Sequence, residues 1–295
     1  MNNLNGILLI TVAMAAFALE DTFIKTMAQT LPVGQVLIML GAISALLFGG
    51  LACGQGASLW APAAWRRLPI LRAICEAVAA VGFAAALSLI EISVVAAVFQ
   101  ATPLAITMGA ALFLNERVGW RRWSAVLVGF VGVLIVIRPG LEGFDPASLL
   151  VLVAVFGVAA RDLLTRVMDS AVPSSVISAQ AFAMLMVAGL VLLWALPGPV
   201  VRSPQGAEWL QLAGGAAAGA FGYYCIVAAM RAADASAIMP FRYTRLVFSI
   251  LLGMLVFGER PDAWTVLGAG LIIASGLYTF VRERQVARAR GLSAA

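Results

Sequence analysis

Ten apolar runs, each long enough to cross a bilayer, follow one another along this chain with only short polar breaks between them. A helix rises 1.5 Å per residue, so about 20 residues span the hydrocarbon core. The runs fall at residues 5–27, 34–53, 68–90, 93–114, 121–138, 149–168, 175–196, 209–230, 235–257 and 263–281. They break on turn chemistry or charge: Leu31-Pro32, Arg66-Arg67, Glu91, Asn115-Glu116-Arg117, Arg138-Pro139-Gly140, Pro173, Pro197-Gly198-Pro199, Asp234 and Arg260-Pro261. Backbone in lipid must satisfy its own hydrogen bonds, and a run of this length does so as a helix. The runs therefore predict an all-α membrane protein with ten transmembrane helices.

Composition excludes the soluble alternative. Of 295 residues, 63% are hydrophobic and 11% charged. A soluble domain carries about 25% charged residues, because a water-facing surface needs them. The first run lacks a basic flank and is followed by Glu20, Asp21 and Lys25, so it reads as a retained helix rather than a cleaved signal. Cys53, Cys75 and Cys225 have no metal or redox spacing and read as apolar filler. The chain has no histidine, which removes histidine bases, relays and metal sites. No cofactor and no metal site are expected.

A shift of 141 residues lays the first run on the sixth. Glu20-Asp21 falls on Arg161-Asp162, Lys25 on Arg166, Met27 on Met168 and Pro32 on Pro173. At a shift of 143, Ser93 pairs with Ser236 and Glu116-Arg117 with Glu259-Arg260, while Trp123/Trp264 and Gly129/Gly270 return to 141. The expected organisation is a first five-helix repeat over 1–140, a second over 141–281, and a basic tail over 282–295. Five is odd, so the second repeat is inverted across the membrane. Inverted repeats characterise alternating-access carriers, with the substrate near the midplane.

Twelve arginines fall in the loops on one side and the tail, among them Arg66, Arg67, Arg121 and Arg122; four basic residues fall on the other side. The positive-inside bias then places both termini in the cytoplasm. The tail arginines would lie against anionic lipid, and no nucleic-acid partner is expected.

Charge inside a span costs roughly 2.5–3.5 kcal/mol, so it persists where it lines a cavity or finds a partner. Glu20, Asp21 and Lys25 with Arg161 and Asp162 form either local pairs or salt bridges between the halves that gate transport. Glu76 is either a titrating group in the substrate site or the partner of Arg72. Arg242 either grips a substrate carboxylate or pairs with Asp162, Asp234 or Glu76; Arg245 is the weaker candidate. Pro103 and Pro240 free backbone carbonyls and mark candidate moving points. Phe17, Phe83, Phe99, Gln100, Gln180, Tyr223, Tyr224 and Tyr243 supply apolar walls and polar contacts for a substrate, or pack as ordinary helix surfaces.

Gln100-Ala-Thr-Pro103 running into Leu114-Asn-Glu-Arg117, and Met239-Pro-Phe-Arg-Tyr-Thr-Arg-Leu246 running into Phe257-Gly-Glu-Arg260, resemble the drug/metabolite transporter superfamily in its ten-helix EamA-type branch. Within it the chain looks most like bacterial amino-acid exporters of the YddG type. Asn115 stands where that pattern has glycine, and Leu246 where a proline would match Pro103. The resemblance implies a bacterial inner-membrane secondary transporter that exports amino acids, aromatic or otherwise hydrophobic, as a monomer or weak homodimer. The alternative is a carrier of another small metabolite: a vitamin, nucleotide-related compound or drug. A channel and an intramembrane enzyme rank below both. No nucleophile motif or selectivity filter is present, and the chain is not expected to be an enzyme.

Overall fold

The computed structural model describes residues 3–115, 119–141, 143–168, 172–232 and 238–292. Glu116, Arg117, Asp234 and Ser236 lie outside the described residues. So do the side chains of Arg231, Arg284, Arg288 and Arg290.

Among the described residues every regular element is helical. In order they are α1 (Asn3–Met27), α2 (Val33–Gly54), α3 (Arg67–Leu89), α4 (Ile92–Phe99), α5 (Thr102–Phe113), α6 (Trp120–Ile137), α7 (Ser148–Val167), α8 (Ser174–Ala195), α9 (Ala207–Ala232), α10 (Thr244–Phe257) and α11 (Ala263–Leu292). Short 3-10 turns occupy Pro62–Trp65 and Met239–Tyr243. Nine spans among the described residues are long and apolar enough to cross a membrane, α4 and α5 counting together as Ile92–Phe113. The 26-residue α9, which contains the apolar run 209–230, stands where the remaining span is expected. Ten spans, five in each half, agree with the sequence.

Repeat mates share local geometry. Pro32 and Pro173 precede α2 and α8 with φ −57° at both. Each ring locks the backbone where the chain must leave a loop and enter a helix. Gly258 ends α10 with φ 66°, and Asn115, its mate, has φ 53°. A left-handed residue closes a helix, and asparagine tolerates it best after glycine. The departure at position 115 is thus a conservative one.

Two boundaries differ from the sequence reading. Span nine was expected to run as one helix to residue 257, yet among the described residues the 3-10 turn Met239–Tyr243 interrupts it before α10 starts at Thr244. Pro240 lacks the N–H that an α-helix would use there. At the other end, α11 continues through the basic segment to Leu292 instead of stopping at 281.

The helices cluster into two compact units, and each draws on both halves of the chain. Unit 1 comprises Met1–Leu19, Glu91–Asp145 and Phe221–Ala295; unit 2 comprises Glu20–Ile90 and Pro146–Ala220. In unit 2, α2 packs on α8 and α3 on α7. A Cβ added at Gly34 would strike the Gly189 carbonyl, and one at Gly189 the Gly34 carbonyl. Gly157 meets Ala79 in the same way, at 2.9 Å from its Cβ. In unit 1, α6 packs on α11 and α4 on α10. There, Cβ atoms at Gly132 and Gly268 would lie 2.7 and 2.6 Å from each other's carbonyls. Lipid gives helices no hydrophobic drive to associate, so close backbone approach between small residues supplies the contact. Ile10, Ala13, Met14, Cys225, Ala229 and Ile238 form a buried core between α1 and the end of α9.

Charge fastens the helix ends. Arg202 forms a two-pronged bridge to Glu208 at 2.6 and 2.8 Å, and Glu208 also accepts from Thr30 Oγ1 at 2.7 Å and the Gln205 N–H at 2.8 Å. Asp262 accepts the Thr265 N–H at 2.9 Å at the start of α11 and pairs with Arg138 at the end of α6.

Candidate functional site

The residues singled out in the sequence fall into two groups, one in each unit. Unit 1 holds the aromatic group. The backbone bends at Gln100-Ala101, between α4 and α5, because Pro103 lacks the N–H that would bond back to Phe99. This bend brings Phe99 and Gln100 towards the 3-10 turn. The Gln100 amide donates to the Tyr243 carbonyl at 3.4 Å. These two residues are mates at a shift of 143, so the repeat meets itself at this point. The Gln100 side chain thus gives the Tyr243 carbonyl a donor across the repeat, while the Phe99 carbonyl freed by Pro103 accepts from the Thr102 hydroxyl at 2.6 Å.

Arg245, one residue into α10, lies in the same place. Its guanidinium carbon is 5.5 Å from the centre of the Phe17 ring and 5.6 Å from that of Phe99. Rings of α1 and α4 thus both lie within cation–π range of one planar cation. Arg242, the arginine favoured by the sequence, is instead exposed, as is Tyr224 at 68% of its surface. Tyr243 and Tyr223 are half-buried, and Pro240 lies in the same turn as Tyr243. A Cβ at Gly276 of α11 would collide with the Tyr243 hydroxyl, so the absence of a side chain there makes the room for Tyr243. Pro103 is exposed at the start of α5.

Unit 2 holds the charged group. Arg161 of α7 donates to Glu76 of α3 at 2.9 Å and to its neighbour Asp162 at 2.8 Å. Arg72 donates to Thr165 Oγ1 at 2.9 Å and stands 3.7 Å from Glu76. Glu76 thus has Arg72 beside it, as the pairing reading expected, and also reaches across to Arg161, a partner that neither reading named. Asp21 is buried, Lys25 donates to the Ile90 carbonyl at the end of α3, and the Glu20 carboxylate lies where a Cβ on Gly219 would be. A cation at a helix C-terminus satisfies carbonyls that have no partner in the helix. Phe83 is half-buried in α3. Gln180 donates to the Ala64 carbonyl at 2.9 Å, tying α8 to the 3-10 turn before α3.

The sequence did not anticipate Glu259. Its carboxylate is buried and caps α4, accepting the Ile92 N–H at 2.8 Å, the Ser93 N–H at 3.2 Å and the Ser93 hydroxyl at 2.8 Å. Ser93 and Glu259 had each been marked as a landmark of the repeat. Only the packing of α4 on α10 makes them partners. Among the described residues no group of three His, Cys, Asp or Glu side chains could hold a metal ion.

The profile of the EamA-like transporter family matches the chain twice, over residues 4–138 and 145–281. The riboflavin transporter of Vibrio cholerae serotype O1 is 34% identical over 195 residues, 66% of this chain and 63% of that protein. The riboflavin transporter of Rhizobium johnstonii is 30% identical over 74% of this chain and 71% of its own length. The S-adenosylmethionine uptake transporter of Rickettsia prowazekii is 28% identical over 68% of this chain and 66% of its own. The chain therefore spans less than two thirds of the length of the Vibrio and Rickettsia relatives. A solved crystal structure, 17% identical, superposes over 95% of this chain and 98% of its own with a TM-score of 0.62, and at that identity it speaks for the fold alone. By name the three relatives are small-molecule transporters, and none is an amino-acid exporter.

Proposed function

We propose, given that the chain belongs to the EamA-like transporter family, that it carries a small metabolite with a planar heteroaromatic ring, of the vitamin or nucleotide-related class. The movement is alternating access across a bacterial inner membrane, with both termini in the cytoplasm. The observation that carries this reading is the guanidinium of Arg245 held against the rings of Phe17 and Phe99. Guanidinium and phenyl faces both stack on flat π-systems, and ring stacking is worth about 1–3 kcal/mol per base in nucleic-acid sites. Riboflavin and S-adenosylmethionine, the compounds named for the relatives, each carry such a ring.

In this reading Gln100 and Tyr243 hold the broken ends of α4 and α10 in register, and Pro103 and Pro240 let those ends move. Glu76, Arg161 and Asp162 act in positioning, fixing α3 against α7, while Glu20, Asp21 and Lys25 set the exit of α1. The test is transport in liposomes containing the purified chain, with labelled riboflavin, S-adenosylmethionine and aromatic amino acids, read in both directions. Saturable movement of a ring compound is expected, falling about tenfold in Arg245→Ala. Arg245→Lys, which keeps the charge and loses the plane, should fall between. Movement of amino acids with both ring compounds inert would overturn this reading and restore amino-acid export.

A further inference from the structure

We propose that unit 2 carries a binding site for an anionic phospholipid at the start of α3, separate from the transported substrate. A cavity of about 500 Å³ opens there, lined by Trp65, Arg66, Arg67, Pro69, Met168 and Val172. Its volume suits an organic ligand rather than a lone ion. Both arginines are exposed, and neither guanidinium is engaged by an ion pair or hydrogen bond among the described residues. By contrast, Arg72, one turn further along α3, is committed to Thr165. Two adjacent guanidiniums over an apolar floor ask for a ligand with a phosphate at one end and hydrocarbon at the other.

Two further features favour a lipid over a free phosphate. Trp60 and Trp65 stack at 5.5 Å, 79% and 49% exposed, and the Trp65 indole N–H is anchored on the Leu59 carbonyl at 3.0 Å. Exposed indoles fixed beside a helix end mark the headgroup level of a bilayer. From the cavity, Leu71, Ile74 and Val78 run along α3 at helical spacing, 47%, 46% and 45% exposed. They form one apolar stripe, and an acyl chain whose phosphate sat on Arg66 and Arg67 would lie along it. Basic pockets between spans are the sites where acidic lipid headgroups bind, and the inner leaflet is the anionic one.

The test is thermal unfolding of the purified full chain in detergent with added phosphatidylglycerol, phosphatidylcholine or inorganic phosphate. Phosphatidylglycerol should raise Tm by roughly 5 °C, and the other two should leave it nearly unchanged. Arg66→Gln/Arg67→Gln should lose most of that rise, with bound lipid lost in native mass spectrometry. Arg121→Gln/Arg122→Gln, the basic pair at the start of α6, should keep it. Arg66→Ala/Arg67→Ala serves as a second variant if the glutamine pair does not fold. An undiminished rise in the Arg66/Arg67 variants would overturn the site, and an equal rise with inorganic phosphate would reduce it to a free-anion site. None of these outcomes depends on which metabolite is carried.

Discussion

Single side chains decide where broken backbone is made good. Glu259 satisfies two amides and a hydroxyl at the start of α4 from within a buried position. Glu259→Ala leaves all three without a partner, and a buried unsatisfied group costs about 1–3 kcal/mol. Unfolding of the purified protein should show a loss of about 3 kcal/mol, against about 1 for Ser93→Ala, which removes one bond. Glu208, in the first turn of α9 beside the loop, is a pH-sensitive counterpart. Hydrogen bonds from Arg202, then Thr30 and the Gln205 amide, hold its carboxyl down to about 2. A depressed carboxyl stabilises the fold above its unfolded value near 4.5 and loses that contribution as pH falls towards 2. Stability measured against pH should therefore decline across that window, and Glu208→Gln should flatten the decline while lowering stability at pH 7. The sequence displayed these side chains without their partners. Arg245 ranked below Arg242 because periodicity cannot say which of two arginines three residues apart faces Phe17 and Phe99. The 3-10 turn, which contains Arg242 and ends just before the helix that carries Arg245, changes the angle per residue between them, and that turn is set by Pro240 in its tertiary setting.

At the scale of helices, the legible features were those fixed by local chemistry. Run length gave the spans, and Pro32 and Pro173 gave the entries to α2 and α8. Illegible was the partner each helix would choose. Glu20, Asp21 and Lys25 were read with Arg161 and Asp162 either as local pairs or as bridges between the halves, and repeat register names no partner for Arg161. Yet α7 packs on α3, and Arg161 therefore reaches Glu76. That bridge yields a test of how α3 and α7 hold together. Removing one member of a half-buried pair leaves a charge with poor solvation, whereas removing both is close to neutral. Glu76→Gln and Arg161→Met should each destabilise by about 3 kcal/mol. The double variant should recover most of the loss, and simple additivity in the double-mutant cycle would show that the pair is energetically unlinked.

For the whole molecule, charge asymmetry between loops predicts a single orientation in the membrane. Cys53, at the end of α2, is exposed, whereas Cys75 is half-buried and Cys225 buried. With both termini inside, Cys53 faces the cytoplasm. A membrane-impermeant maleimide should label inverted vesicles and spare right-side-out ones, and Cys53→Ser should abolish that labelling. The reverse pattern would turn the whole topology over. The repeat, legible as matched landmarks, is realised as helices exchanged between two compact units, which no shift of the sequence against itself could display. Each unit also contains a seam where two glycines touch backbone to backbone, Gly34 on Gly189 and Gly132 on Gly268. Such a seam has no proton to gain, no thiol to oxidise and no side-chain torsion to turn. Acidity and ionic strength act on the ion pairs at the helix ends and pass these contacts by. Evolution can alter them only by adding atoms, and the first atom added, a methyl group, already collides.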